Sequence, residues 1–147
     1  MNFVDKDLLS VQEARILMER AAQAKEALAA FPQEKLDRIA AAMLEAARER
    51  LSQLARLSAE ETGYGNWRDK YIKDRFVCEA LETRLAGRRF VGVLEEDPGA
   101  GIARIGVPLG VIVAPTPAFG PVAAVISAAV LAVKSGNAIL FSPHPRA

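Results

Sequence analysis

The polar side chains best placed for chemistry follow two apolar segments in the last third of the sequence. Thr116 comes just after the run 111–114, and the segment 142–146 follows the run 137–141. If the two runs are neighbouring parallel strands, both loops lie at the carboxyl edge of a sheet, where open α/β sheets bind ligands. The first amides of a helix after Pro121 can face a phosphate or another polar group. The pattern therefore predicts a nucleotide-type cleft between these loops.

The other residues that could take part in catalysis are not spaced as in known catalytic or nucleotide-binding motifs. The sequence contains no G-x-G-x-x-G fingerprint, no Walker A loop and no H-E-x-x-H motif. Its single cysteine, Cys78, falls on an apolar helix face, so we interpret it as a core residue rather than a nucleophile. His144 lies between two prolines and fits either a loop residue or a base. One Cys and one His exclude an internal disulfide and a His/Cys zinc site. The carboxylates at 60–61 and 95–97 are expected to face water.

Composition narrows the class of protein. The 147 residues are 51% hydrophobic and 25% charged, which excludes a disordered tail, and the net charge of +1 gives no electrostatic case for a nucleic-acid or anionic-membrane partner. The uncharged stretch 105–133 is long enough to cross a bilayer, but four prolines interrupt it, which disfavours a membrane helix. No basic and apolar leader is visible, so we expect a cytoplasmic location.

The segment 1–87 is predicted to be helical. Ser10 to Glu13 has capping-box spacing, Pro32 separates a first from a second helix, Gly63 ends the second, and Asn66 caps the third. Apolar residues at helical spacing predict a core-facing stripe on each of the first two helices. In the first helix they are Val11, Ala14, Leu17, Met18, Ala21 and Leu28, and in the second Leu36, Ile39, Ala40, Met43, Leu44, Ala47, Leu51 and Leu54.

The character of the sequence changes at Arg88. Strands at 89–94 and 102–107, joined by a turn-rich connector at 95–101, predict a hairpin over 88–107. From 108 to 147 a strand, an apolar helix over Val122–Lys134 and a second strand form a βαβ unit with parallel strands, each expected to be buried on both faces. The expected fold class is α/β.

Three segments carry a family resemblance. Glu61-Thr62-Gly63-Tyr64-Gly65 followed by Asp69-Lys70 resembles the E-T-G-x-G-x-x-x-D-K segment of CoA-acylating aldehyde dehydrogenases. Pro108 to Ile112 resembles their P-x-G-V-I entry to the cofactor domain, and Gly136 to Pro145 is similar to their G-N-A-I-x-F-S-P-H-P segment. The resemblance runs from Val11 onward. It implies an incomplete aldehyde dehydrogenase fold: N-terminal helices, a hairpin of the bridging or oligomerisation type, and the first βαβ unit of a Rossmann-like cofactor domain.

The resemblance also implies a reaction. The family oxidises an aldehyde, most commonly acetaldehyde, with NAD, through a cysteine thiolate, and transfers the acyl group to coenzyme A. By position, Thr116, Pro117 and Ala118 match the loop on the nicotinamide side of the cofactor. Ser142, Pro143 and His144 match the segment near the adenosine ribose. Ordinary aldehyde dehydrogenases carry a lysine at the position of Ser142. The absence of that lysine here favours NAD over NADP as the cofactor.

Two departures from the family pattern qualify this expectation. Where the family has P-[ST]-T-N-P, this sequence has Pro117-Ala118-Phe119-Gly120-Pro121, without the polar side chains. The glycine motif for the pyrophosphate, the catalytic cysteine and the general base of the family are expected downstream of this sequence, so it contains no catalytic residue. We therefore expect the N-terminal part of a homo-oligomeric enzyme, inactive alone. Two alternatives are a non-catalytic assembly module that pairs with a full-length homologue and a nucleotide-binding protein without a redox role.

Overall fold

The chain folds into helices, a hairpin and a parallel strand–helix–strand unit, in a computed structural model that describes residues 5–146. In these residues three helices come first: α1 (Lys6–Ala29), α2 (Gln33–Thr62) and α3 (Trp67–Leu85). Strands β1 (Gly92–Asp97) and β2 (Ile102–Gly106) follow, and then β3 (Val111–Thr116), α4 (Pro121–Lys134) and β4 (Ala138–Pro143). The α/β class predicted from the sequence is confirmed.

The joint between α2 and α3 forms as its residues predict. Gly63 ends α2 with φ of 68°, a left-handed conformation that glycine adopts without steric cost. Asn66 begins α3, because its side-chain oxygen accepts a hydrogen bond from the Asp69 amide at 3.0 Å. The sharp turn between these two residues sets α3 against α2.

The first helix differs from its prediction. Asp5 is the N-cap, and its carboxylate accepts hydrogen bonds from the amides of Asp7 and Leu8, so the helix begins earlier than expected. Ser10 lies inside the helix and donates to the Lys6 carbonyl, so the capping-box prediction is wrong. The expected core stripe is also wrong for the first half of the helix, where Leu17 is 47% exposed. Among residues 5–146 no element covers this side of α1.

The core lies between α2, α3 and α4. Six buried side chains from the three helices form one cluster, namely Ala40, Leu44, Leu51, Cys78, Ile126 and Val130. The α2 members belong to the predicted stripe, which confirms that this stripe faces the core. Cys78 is fully buried there, as expected of a small core residue.

The hairpin has a tighter turn than predicted. Its antiparallel register runs from Gly92 opposite Gly106 to Asp97 opposite Ile102, with an irregularity between Val93 and Glu95. The residues 95–97 were expected in the connector, but they belong to β1, where the Glu95 carboxylate pairs with the Arg104 guanidinium at 3.0 Å. The Asp97 side chain accepts from the Ala100 amide, which closes the turn.

The strand–helix–strand unit is parallel, as predicted. Val111 pairs with Ala138 and Thr116 with Pro143, and both α1 and α4 contact this two-stranded sheet. Val113 is 57% exposed, so the expectation of strands buried on both faces is wrong. Within the described residues the sheet has no third strand or further layer to cover that side chain. No helix in this part of the chain is both long and apolar enough to cross a membrane.

Candidate cofactor site

The ends of β3 and β4 form one cleft. The in-register parallel pairing brings the two exits side by side, and the His144 amide extends it by donating to the Thr116 carbonyl at 2.9 Å. The cleft measures about 330 Å³. Its lining residues are Pro115, Thr116, Pro117, Ser142, Pro143 and His144. The sheet thus produces the crevice that the strand order predicts.

The structure brings five of the six predicted cofactor-contacting residues together. Thr116 is buried at the floor of the cleft, whereas Ser142, Pro143 and His144 are exposed at its edge. Ala118 is buried, and it does not line the cleft. Its methyl group turns into the fold, because the loop folds back toward α3 directly after Pro117.

The walls of this cleft are stiff and poor in charge. Three prolines fix the backbone and supply no amide donors, and no Lys, Arg, Asp or Glu is among the lining residues. The His144 ring accepts a hydrogen bond on Nδ1 from the Arg146 amide, which leaves the proton of the neutral ring on Nε2. Hydroxyls of Thr116 and Ser142 and this Nε2–H are therefore the side-chain groups that can bond an uncharged polar ligand.

Helix α4 begins immediately beside the cleft without a side-chain cap. Gly120 is the N-cap residue, it makes no side-chain hydrogen bond, and Pro121 follows at the first helical position. The Gly120 carbonyl accepts from the Ala124 amide at 3.2 Å, which is the first helical bond. No side chain therefore caps the first amides of α4, and Pro121 itself supplies no amide donor.

A buried polar cluster supports the loop from the side of α3, and sequence reasoning missed it. Lys70 is 6% exposed. Its ammonium donates hydrogen bonds to the Ser58 hydroxyl at 3.1 Å and to the Phe119 carbonyl at 3.3 Å. Burial, and then the charge of Lys73, lowers the pKa of Lys70. The sequence signal was available, because Lys70 belongs to the D-K pair of the family segment, but its partners lie 12 and 49 residues away.

The second half of this cluster holds opposite charges. Asp74 is 1% exposed, its Oδ1 atom accepts no hydrogen bond, and the Lys73 ammonium lies 3.9 Å from it. Burial raises the pKa of the Asp74 carboxyl, and the two lysines oppose that rise. A Cβ placed on Gly120 would lie 2.8 Å from the Lys73 ammonium, so this loop glycine leaves room for the lysine.

The described residues do not supply a nucleophile or a metal site. Burial raises the pKa of the Cys78 thiol, so the reactive thiolate is disfavoured. No group of three or more His, Cys, Asp or Glu side chains in residues 5–146 is arranged to hold a metal ion.

Comparison with known proteins identifies the family. The model of the aldehyde dehydrogenase family matches residues 5–147. The chain belongs to the aldehyde dehydrogenase family. It is 36% identical over 138 residues to the bifunctional aldehyde-alcohol dehydrogenase of Escherichia coli, covering 94% of this chain and 16% of that protein. It is 38% identical over 131 residues to an acylating sulfoacetaldehyde dehydrogenase of Cupriavidus necator, covering 86% of this chain and 26% of that protein.

Solved structures agree with this aldehyde dehydrogenase assignment. The crystal structure of an acetylating aldehyde dehydrogenase from Geobacillus thermoglucosidasius superposes with a TM-score of 0.93 at 38% identity. The superposition covers 97% of this chain and 32% of that one. The chain therefore spans about a third or less of the length of the relatives that it matches. The similarity to acylating members confirms the resemblance inferred from the motifs.

Proposed function

We propose that this chain contributes the NAD-facing part of a CoA-acylating aldehyde dehydrogenase. The observation that carries the proposal is the cleft at the carboxyl ends of β3 and β4, in a chain similar to dehydrogenases named as acylating or acetylating. The proposed reaction oxidises an aldehyde with NAD and transfers the acyl group to coenzyme A. NAD, when bound, supplies the hydride acceptor.

The chemistry of the cleft fits a nucleotide sugar. The Thr116 and Ser142 hydroxyls can bond ribose hydroxyls, and the prolines keep the wall rigid. Because no cation lines the cleft, a ribose 2′-phosphate would find no counter-charge, which favours NAD over NADP. The Pro117–Pro121 loop offers no polar side chain for the nicotinamide or a developing oxyanion, so those contacts must come from other parts of the enzyme.

The proposed contribution is limited to binding. Acyl transfer through a thioester needs an accessible thiolate, and Cys78 is fully buried with a raised pKa. We therefore propose that these residues act with a nucleophile from outside this sequence. The aldehyde and coenzyme A are substrates of the whole assembly, which we propose is a homo-oligomer. A lone, unpaired cysteine fits the reducing cytoplasm.

Fragment complementation tests the proposal. The Geobacillus enzyme is expressed without the third that matches this chain, and the two polypeptides are mixed with acetaldehyde, coenzyme A and NAD. We expect no NADH from either polypeptide alone and CoA-dependent NADH from the mixture. Ser142→Ala should raise the KM for NAD several-fold, whereas Ser52→Ala, an exposed site on α2, should not. A mixture that forms a complex but makes no NADH would contradict the proposal.

An assembly module that pairs with a homologous enzyme is the second candidate. The observation that favours it is exposed apolar surface on β3 and the hairpin, with Val113 57% exposed and Ile102 65% exposed. A sheet with open edges offers hydrogen-bonding groups to another chain. Binding to the full-length Geobacillus enzyme without a gain in its activity would favour this alternative. Saturable NAD binding to this chain by itself would instead favour a nucleotide-binding role without redox chemistry.

A further inference from the structure

The β3–α4 loop, residues 117–120, has no polar side chain of its own to hold its conformation. None of the five residues from Pro117 to Pro121 can make a side-chain hydrogen bond, and Gly120 gives α4 no side-chain cap. Phe119 points outward with 70% exposure. The hydrogen bond from the Lys70 ammonium to the Phe119 carbonyl therefore holds the middle of the loop, beside the buried Ala118.

The geometry assigns Lys70 as a positioning residue for the cofactor cleft, holding the β3–α4 loop through the Phe119 carbonyl with Ser58 as its second anchor. This inference rests on the proposed function, because the loop begins with Thr116 and Pro117 in the wall of that cleft. Lys70 is not among the residues that line the cleft, so it acts through the loop backbone.

The burial of Lys70 strengthens the assignment. A lysine that is 6% exposed pays a desolvation cost unless its ammonium is hydrogen-bonded, and the two acceptors at 3.1 and 3.3 Å come from different elements. The buried Asp74 carboxylate adds an opposite charge from the next turn of α3. Hydrogen bonds with an ionised donor are stronger than neutral ones. The bond from the Lys70 ammonium can therefore hold the Phe119 carbonyl in place.

Amide hydrogen exchange of the loop in the full chain, measured by NMR, tests this role. Lys70→Met should speed exchange about tenfold or more at the Ala124 and His144 amides, which donate to the Gly120 and Thr116 carbonyls at the two ends of the loop, because the loop then loses one charge-assisted hydrogen bond. Lys70→Arg should restore most of the protection, because it keeps a cationic donor. Ser58→Ala should give a smaller increase at the same two amides, and it serves as the test variant if Lys70→Met does not fold.

A stability-matched control separates positioning from general destabilisation. Leu44→Ala removes a buried core side chain about four turns of α2 away from Ser58, so it should lower the free energy of unfolding without selective exchange at the two amides. In the complemented enzyme Lys70→Met should raise the KM for NAD, and Leu44→Ala should not. Unchanged loop exchange in both Lys70→Met and Ser58→Ala, or equal acceleration throughout the chain, overturns the assignment. Selective loop exchange in Lys70→Met, together with a mixture that forms a complex but makes no NADH, would support the role of Lys70 in the loop and contradict the proposed enzyme.

Discussion

At the scale of single residues, the buried carboxylate of Asp74 lowers the stability of the fold. It is almost completely buried, one carboxylate oxygen has no hydrogen-bond partner, and burial raises the pKa of the carboxyl despite two nearby lysines. In the unfolded chain the same carboxyl loses its proton near its ordinary pKa of about 3.9. As the pH rises above that value, Asp74 loses its proton more readily in the unfolded state than in the folded state. Asp74 therefore lowers the free energy of unfolding at neutral pH.

Asp74→Asn should remove that pH dependence. We expect the variant to gain about 1 kcal/mol of unfolding free energy over the native chain at pH 7, the lower end of the cost of an unpaired buried polar group, and little or nothing at pH 3. Urea unfolding at a series of pH values measures the difference. Glu79→Gln, an exposed carboxylate on the same helix, should show no comparable trend. A gain that shrinks as the pH rises would contradict the burial argument.

At the scale of elements, Gln33 joins three parts of the fold. It is 2% exposed, and its side-chain oxygen accepts hydrogen bonds from the amides of Phe90 and Val91 at the base of the hairpin. Its side-chain nitrogen donates to the Asp37 carboxylate at 2.7 Å and to the Lys134 carbonyl at the end of α4 at 3.1 Å. One amide thus holds the hairpin and α4 against the start of α2.

Gln33→Ala should cost about 2–4 kcal/mol of unfolding free energy. A fully buried donor or acceptor left without a partner costs about 1–3 kcal/mol, and the variant leaves the Lys134 carbonyl in that state together with two amides that are partly buried and therefore cost less. Urea unfolding gives the magnitude. Gln53→Ala, an exposed site on the same helix, should change the free energy by less than about 0.5 kcal/mol. Equal effects of the two substitutions would show that Gln33 does not join these elements.

Local rules predict much of this architecture, and long-range contacts account for the rest. Gly63 and Asn66 act through backbone conformation and capping within a few residues, so their roles are visible in the sequence. The cleft was predictable for the same reason, because parallel strands place their exits together. The contacts of Gln33 and Lys70 were not predictable, since their partners in other elements lie 12 to 101 residues away and local spacing does not identify them. The stripe on α1 failed because periodicity shows which side is apolar, not whether anything covers it.

At the scale of the whole molecule, apolar side chains remain on the outside of several elements. The hairpin carries the clearest set, because Val93 and Ile105 pair across the strands and are 47% and 61% exposed. A formal net charge of +1 provides little repulsion between copies. Together these features lead us to propose association through the hairpin.

Ile105→Lys should weaken self-association about tenfold or more. Burying an isoleucine side chain in an interface contributes about 1.5–3 kcal/mol, and a lysine there adds the cost of desolvating a charge in each copy. Sedimentation velocity over a range of concentrations would give the dissociation constants of both proteins. Arg104→Lys is the matched control, because neighbouring strand residues face opposite sides and this change keeps the charge. We expect the control to associate like the native chain. A native chain that stays monomeric at every concentration would show that the exposed apolar pairs of the hairpin do not mediate assembly.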